Sequence, residues 1–226
     1  MQNPWLALPE LPNWVLRDDS PQIESFNARN AAVKRADVRY RLDLFPEPYF
    51  GAPDAEIVLL ALNPGASHDD AAWHAKPAFI EAARRSIAHQ LAPLPFLHLE
   101  QPAESPGGKW WRRTTVPLHG GEETRVAAVA RAVFCVQWFP YHSTRFASAD
   151  LAVPTQEYNF ALVRQAIRQK RTVIFLRSRK RWERSVPELV GYTGASAIRN
   201  PRNPTLSAAN LPDGFALLAD AVARTL

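Results

Sequence analysis

Glu56-Ile57-Val58-Leu59-Leu60-Ala61-Leu62-Asn63-Pro64-Gly65 is the stretch that decides the fold. Residues 57–62 are all apolar and leave no polar face for water, so the run reads as a strand buried on both sides in a parallel sheet. Asn63-Pro64-Gly65 ends it. Proline fixes one dihedral and glycine permits close backbone approach, so the Asn63 amide is presented rigidly where the strand stops.

Outward from this strand, shorter apolar runs at residues 133–139 and 172–176, and a weaker one at 195–199, supply three more strands. Helical spacing lies between them. Phe79, Ala83, Ile87 and Leu91 recur every four residues, and Val126, Val129 and Val133 mark a short helix. Phe160, Val163 and Ile167 mark another, with Thr155 as its N-cap. Trp182, Val186 and Leu189, then Phe215, Leu218, Val222 and Leu226, complete the set. Strands alternating with helices predict an α/β domain: a three-layer sandwich with a four-stranded parallel sheet covered on both faces. Ligands of such sheets bind beyond the carboxyl ends of the strands. Four loops are therefore selected, at residues 63–70, 140–146, 177–181 and 200–210.

The 226 residues suit one such domain, expected over residues 51–226, with residues 1–50 as an extension packed on it. That segment is rich in Pro, Asn and Asp, carries scattered aromatics such as Trp5, Trp14 and Phe45, and has one helical candidate at 23–38. A single cysteine, Cys135, inside an apolar run excludes a disulfide framework and a multi-thiolate metal centre. No segment reaches the roughly 18 apolar residues of a membrane helix, and no secretory leader is visible, so a cytoplasmic, reducing setting and no membrane partner are expected. The net charge of +5, from 27 Lys plus Arg against 22 Asp plus Glu, suits an anionic partner.

The loop Asn200-Pro201-Arg202-Asn203-Pro204-Thr205-Leu206-Ser207-Ala208-Ala209-Asn210 is stiffened by two Asn-Pro steps and carries amides, a cation and an apolar tip. Together with Leu62-Asn63-Pro64-Gly65 it resembles the paired motifs of the uracil-DNA glycosylase superfamily, in its single-strand-selective and mismatch-specific branches. Those branches read Met-Asn-Pro-Gly or Ile-Asn-Pro-Gly at the first motif. At the second, the single-strand-selective branch reads His-Pro-Ser-Pro-Arg-Asn-Pro and the mismatch-specific branch Asn-Pro-Ser, to which Asn200 is similar. Between them, Gln137-Trp138-Phe139-Pro140 stands where the first branch has Asn-Leu-Cys-Pro. The resemblance spans about residues 55–220, and its specific content is two short motifs and their order.

The resemblance implies hydrolysis of the bond between a damaged base and deoxyribose, with DNA as partner, a monomeric protein, and neither metal nor organic cofactor. It implies that Asn63 positions the attacking water and that Asn200 donates to the base as it leaves. Pro64, Gly65, Gln137, Tyr141 and His142 would form the base pocket, Gln137 offering both a donor and an acceptor to a base edge. Arg199, Arg202, Lys180 and Arg181 would hold phosphates while Leu206 fills the space left by a flipped nucleotide. Two departures weaken the chemistry: Asn200 replaces a histidine, and the aromatic that follows the first motif is missing, leaving Trp73, Phe96 or Tyr141 to stack on the base.

Other patterns carry less. No Gly-x-Ser-x-Gly elbow accompanies His142-Ser143. Asp69 and Asp70 read as solvated or capping groups, and His68, Asp69, Asp70 and His74 match no common metal spacing. Gly107-Gly108-Lys109 lacks a full phosphate loop, and Trp110-Trp111-Arg112-Arg113 suits either core packing or single-stranded nucleic acid. Two alternatives to the glycosylase stay open: a nucleic-acid binder of the same fold without activity, and an enzyme of a free nucleotide or nucleoside, which needs no wedge.

Overall fold

A computed structural model of the chain describes residues 1–147 and 151–226. Its strands are β1 (Tyr49–Gly51), β2 (Ile57–Ala61), β3 (Val133–Gln137), β4 (Thr172–Phe175) and β5 (Ala195–Ala197). Its helices are α1 (Ser20–Ala32), α2 (Asp70–His74), α3 (Pro77–Ile87), α4 (Leu97–Glu100), α5 (Pro106–His119), α6 (Glu123–Ala132), α7 (Gln156–Arg168), α8 (Arg179–Ser185) and α9 (Phe215–Ala223). Among the described residues no helix is long and apolar enough to cross a membrane.

Every residue of β2 is buried, as an all-apolar run requires. It lies at the centre of the sheet, paired in parallel with β3 through Leu59 and Cys135 and with β4 through Leu59 and Ile174. β5 extends the sheet beyond β4.

The sheet has five strands, not the four expected. β1 pairs antiparallel with β3, Phe50 opposite Cys135, giving the order β1-β3-β2-β4-β5. Three residues between Pro48 and Ala52 are too short to show any hydrophobic period, so the edge strand left no signal in the sequence. Gly51 ends it at a φ of 106°, where a Cβ would collide with the Val133 carbonyl.

The chain leaves β2 for β3 on one side and then crosses to β4 on the other. That reversal opens a crevice at the carboxyl end of β2, where Asn63-Pro64-Gly65 begins.

The first fifty residues belong to the same core. Trp5 and Trp14 are buried, Trp5 against Tyr141 at 5.9 Å between ring centroids and Trp14 against Phe45 at 5.4 Å. Thr155 stands at the N-cap position of α7, but its hydroxyl donates to Asp19, not to the helix. Asp19 is fully buried and also accepts from the Tyr141 hydroxyl at 2.7 Å and the Thr155 amide at 3.1 Å. Burial raises its carboxyl above the ordinary range, against the pull of these bonds. Asp19→Ala removes the acceptor from three buried donors and is expected to cost about 3 kcal/mol, read as a lowered urea midpoint at unchanged slope.

Candidate functional site

A cavity of about 630 Å³ opens at the carboxyl ends of the parallel strands, a size suited to a small organic ligand. The segment after β2 contributes Leu62, Asn63, Pro64 and Gly65, the end of β3 and its loop Gln137 and His142, and the segment after β4 Leu176 and Arg177. Trp73 and His74 come from α2, and Trp110 and Trp111 from α5. Pro204 is the one lining residue from the loop at 200–210.

Asn63 is fixed by its own neighbours. Its Nδ2 donates to the Pro64 carbonyl at 2.9 Å and to Ser143 Oγ at 3.0 Å, while Oδ1 has no partner among the described residues. An amide held this way offers an acceptor to a water or ligand hydrogen. Gly65 forms a bridge with Ser143, tying the loop after β2 to the loop after β3.

Gln137 is the last residue of β3 and is buried, with its backbone amide donating to the Pro48 carbonyl. Its side-chain Oε1 is also buried and has no hydrogen-bond partner among the described residues. A buried acceptor without a donor costs stability unless something supplies one. Trp73, Trp110 and Phe146 stand half-buried around the same cavity as flat apolar surfaces.

Beneath the Asn63 loop lies a buried charge cluster. Glu47 Oε2 faces His98 Nε2 at 2.9 Å, and Glu47 Oε1 is 3.6 Å from His142 Nε2 and 3.9 Å from His74 Nε2. Burial pushes the Glu47 carboxyl up, but the charges of His98 and His142, the His98 hydrogen bond and His74 outweigh it and bring it down to about 2. Burial and the charge of His142 lower His74 to about 3, against the attraction of Glu47. His98 can approach because α5 has Gly107 beside it, where a Cβ would strike the imidazole.

Glu47, His74 and His142 also bring one metal-ligating atom each within 4.8 Å of one another. Their hydrogen bonds oppose a metal. His74 Nδ1 accepts from the Phe45 amide at 3.0 Å, which leaves the ring hydrogen on Nε2, the atom facing Glu47. His142 directs Nδ1 at the Gly65 carbonyl at 2.6 Å and Nε2 at the Phe45 carbonyl at 3.0 Å, so both nitrogens meet acceptors. A metal taking the ring-nitrogen lone pairs would have to displace these bonds.

Of the residues selected by sequence, Asn63, Pro64, Gly65, Gln137, His142 and Trp73 line the cavity. Several others stand elsewhere. Tyr141 is buried, its hydroxyl donating to Asp19. Phe96 packs in the core against Phe50. Asn200 is exposed, its Oδ1 accepting from the backbone amides of Arg202 and Asn203, an Asx turn that keeps the side chain within its own loop. Leu206 is fully buried with its amide donating to the Thr114 carbonyl at 2.8 Å, so the apolar tip expected to enter a base stack points inward. Arg199, Arg202 and Lys180 are exposed outside the cavity, and Arg181 stacks its guanidinium on Trp138 and Phe146, each at 5.4 Å. Asp70 also lines the cavity, accepting from the Ser67 amide and hydroxyl to close the turn before α2, whereas His68 pairs with Asp69 on the surface.

Sequence reasoning missed Glu47, His98 and the two α5 tryptophans as one site. A signal existed for the first two. Each is a lone ionisable residue within an apolar or proline-rich run, Phe45-Pro46-Glu47-Pro48 and Phe96-Leu97-His98-Leu99, where burial demands a partner. Compared with family models, with curated proteins and with solved structures, the chain matches none.

Proposed function

We propose that the protein hydrolyses the N-glycosidic bond of uracil or another deaminated base, and that the cavity at Asn63 and Gln137 is where the base lies. One observation carries the reading: the Gln137 amide ends a central strand inside the cavity with its buried Oε1 unpartnered. A pyrimidine edge pairs a ring N–H with a carbonyl, and one primary amide answers both. Asn63, with Nδ2 held and Oδ1 open, supports the water-positioning role implied by the resemblance to uracil-DNA glycosylases. Trp73, Trp110 and Phe146 supply stacking faces near the place where the superfamily aromatic is missing. The same reading carries a glycosylase-like three-layer arrangement, a monomer working without cofactor in the cytoplasm, and DNA as partner through the basic loops.

A second reading has its own support. Leu206 is buried, and Arg199, Arg202 and Lys180 lie outside the cavity, which favours a free nucleoside or nucleotide over an extended strand. The test offers the protein single- and double-stranded oligonucleotides bearing uracil, hypoxanthine or xanthine, alongside the free deoxynucleosides, and measures released base. Release from oligonucleotides supports the glycosylase, and release from nucleosides alone the second reading. Salt-sensitive DNA binding without release from any substrate overturns both in favour of a non-catalytic binder.

A further inference from the structure

At about 630 Å³ the cavity is larger than a single base ring, and a cation stands on the side away from Gln137. Gln137 ends β3 level with Ala61, whereas Arg177 follows β4 on the other flank of β2, its amide donating to the Leu60 carbonyl at 3.3 Å. Two strand spacings put their backbones about 10 Å apart. A base alone does not bridge that span; a base joined to its sugar and a 5′-phosphate does.

The Arg177 side chain is unspent. Its guanidinium has no hydrogen bond, ion pair or ring contact among the described residues. The other arginine lining the cavity, Arg145, is held by Asp37 at 2.7 Å. The lining carboxylates are engaged as well: Glu47 faces His98 at 2.9 Å, and Asp70 accepts from the Ser67 amide and hydroxyl. On α8, Arg179 pairs with Glu183 at 2.6 Å and Arg181 lies on Trp138 and Phe146. Arg177 is therefore the lining arginine left for a ligand, and its planar fork of donors matches the oxygens of a phosphate. The loop that would have to engage a strand is tied to α5 by the Leu206 amide on the Thr114 carbonyl at 2.8 Å, and its Pro204 forms part of the cavity wall.

We infer that Arg177 is a phosphate subsite and that the cavity takes a free nucleoside 5′-monophosphate, its base against Gln137 and its phosphate on the guanidinium. This rests on the glycosidic reading above, in its free-nucleotide form. In that reaction the bond between C1′ and the base nitrogen breaks with its electron pair leaving on the base. The water oxygen bonds to C1′, one water proton stays as the new hydroxyl and the other ends on the base, so the second product is a sugar 5-phosphate. Arg177 touches the end of the substrate remote from the breaking bond and acts through affinity.

The test is calorimetric titration of the full-length protein with three probes: deoxyuridine, its 5′-monophosphate, and the methyl ester of that monophosphate, a diester with the single charge of a strand phosphate. The monophosphate is expected to bind about 10-fold or more tightly than the nucleoside, and the methyl ester about 3-fold or more weakly than the monophosphate. Arg177→Gln is expected to bring monophosphate and nucleoside within about 2-fold of each other. Arg184→Gln, which removes the same charge from an exposed position of α8 outside the cavity, is expected to keep the preference. Arg177 is exposed, so its variant should unfold at an unchanged urea midpoint. No preference in the unaltered protein overturns the inference whether or not a variant folds, as does a preference that survives Arg177→Gln or falls equally in Arg184→Gln. A methyl ester bound as tightly as the monophosphate overturns it in favour of a phosphate within a strand. An Arg177-dependent preference without base release from any substrate would sink the glycosidic reading and leave the phosphate subsite standing. Base release without the preference would do the reverse.

Discussion

Asn63→Ala is expected to lower base release by about 100-fold or more while moving the urea midpoint little. The two effects separate because the amide's two ends do different work. Nδ2 is spent on the Pro64 carbonyl and Ser143 Oγ, neutral bonds at a half-buried position whose loss costs on the order of 1 kcal/mol. Oδ1 has no partner among the described residues, and under the proposed function it orients the water. A plain strand-ending turn would give the opposite pattern, with stability reduced and base release proportionate to the folded fraction. Steady-state base release and urea unfolding, run on the same preparations, distinguish these outcomes.

Acidification is expected to destabilise the protein by several kcal/mol, concentrated in the Glu47 cluster. His74 has its folded value lowered from 6.5 to about 3, so between those values the unfolded chain binds a proton that the folded one does not. Its contribution is complete above about 6.5 and disappears as pH falls toward 3. Glu47, lowered from 4.5 to about 2, behaves alike over a more acid window: its contribution is present above about 4.5 and lost on approach to 2. Two depressed groups act in the same direction, and a shift of one unit corresponds to about 1.4 kcal/mol. Unfolding free energy measured by urea titration at pH 7, 5.5 and 4 should therefore fall at each step. In His74→Phe the first step, from pH 7 to 5.5, should be reduced but not abolished, because burial lowers His89 and His119 as well and they share that window. An unchanged first step would show that His74 is protonated in the folded state.

The central strand, its two parallel neighbours and the location of the cavity were legible because a buried strand writes its environment in one dimension: residues 57–62 admit no solvent face. β1 was not legible, since three residues paired at an edge carry no period of their own. The loop at 200–210 shows a different limit. Its sequence suggested a protruding apolar tip, but Asn200 and Asn210 fold the backbone onto itself, with Asn210 Nδ2 donating to the carbonyls of Asn203 and Thr205, and Leu206 turns into the core. Short-range side-chain bonds of this kind decide loop direction, and residue types alone do not specify them. Glu47 and His98 were invisible as a pair because they meet across 51 positions of sequence through the packing of α4 against the segment before β1.

The measurement that bears most directly on the cavity as the working site compares base release by the unaltered protein, Asn63→Ala and Asn200→Ala. Deoxyuridine and uracil-containing oligonucleotides serve as substrates. Release that Asn63→Ala abolishes and Asn200→Ala leaves within about 3-fold is expected, since Asn63 lines the cavity and Asn200 bonds only within its own exposed loop. Release lost in Asn200→Ala and retained in Asn63→Ala would contradict the account.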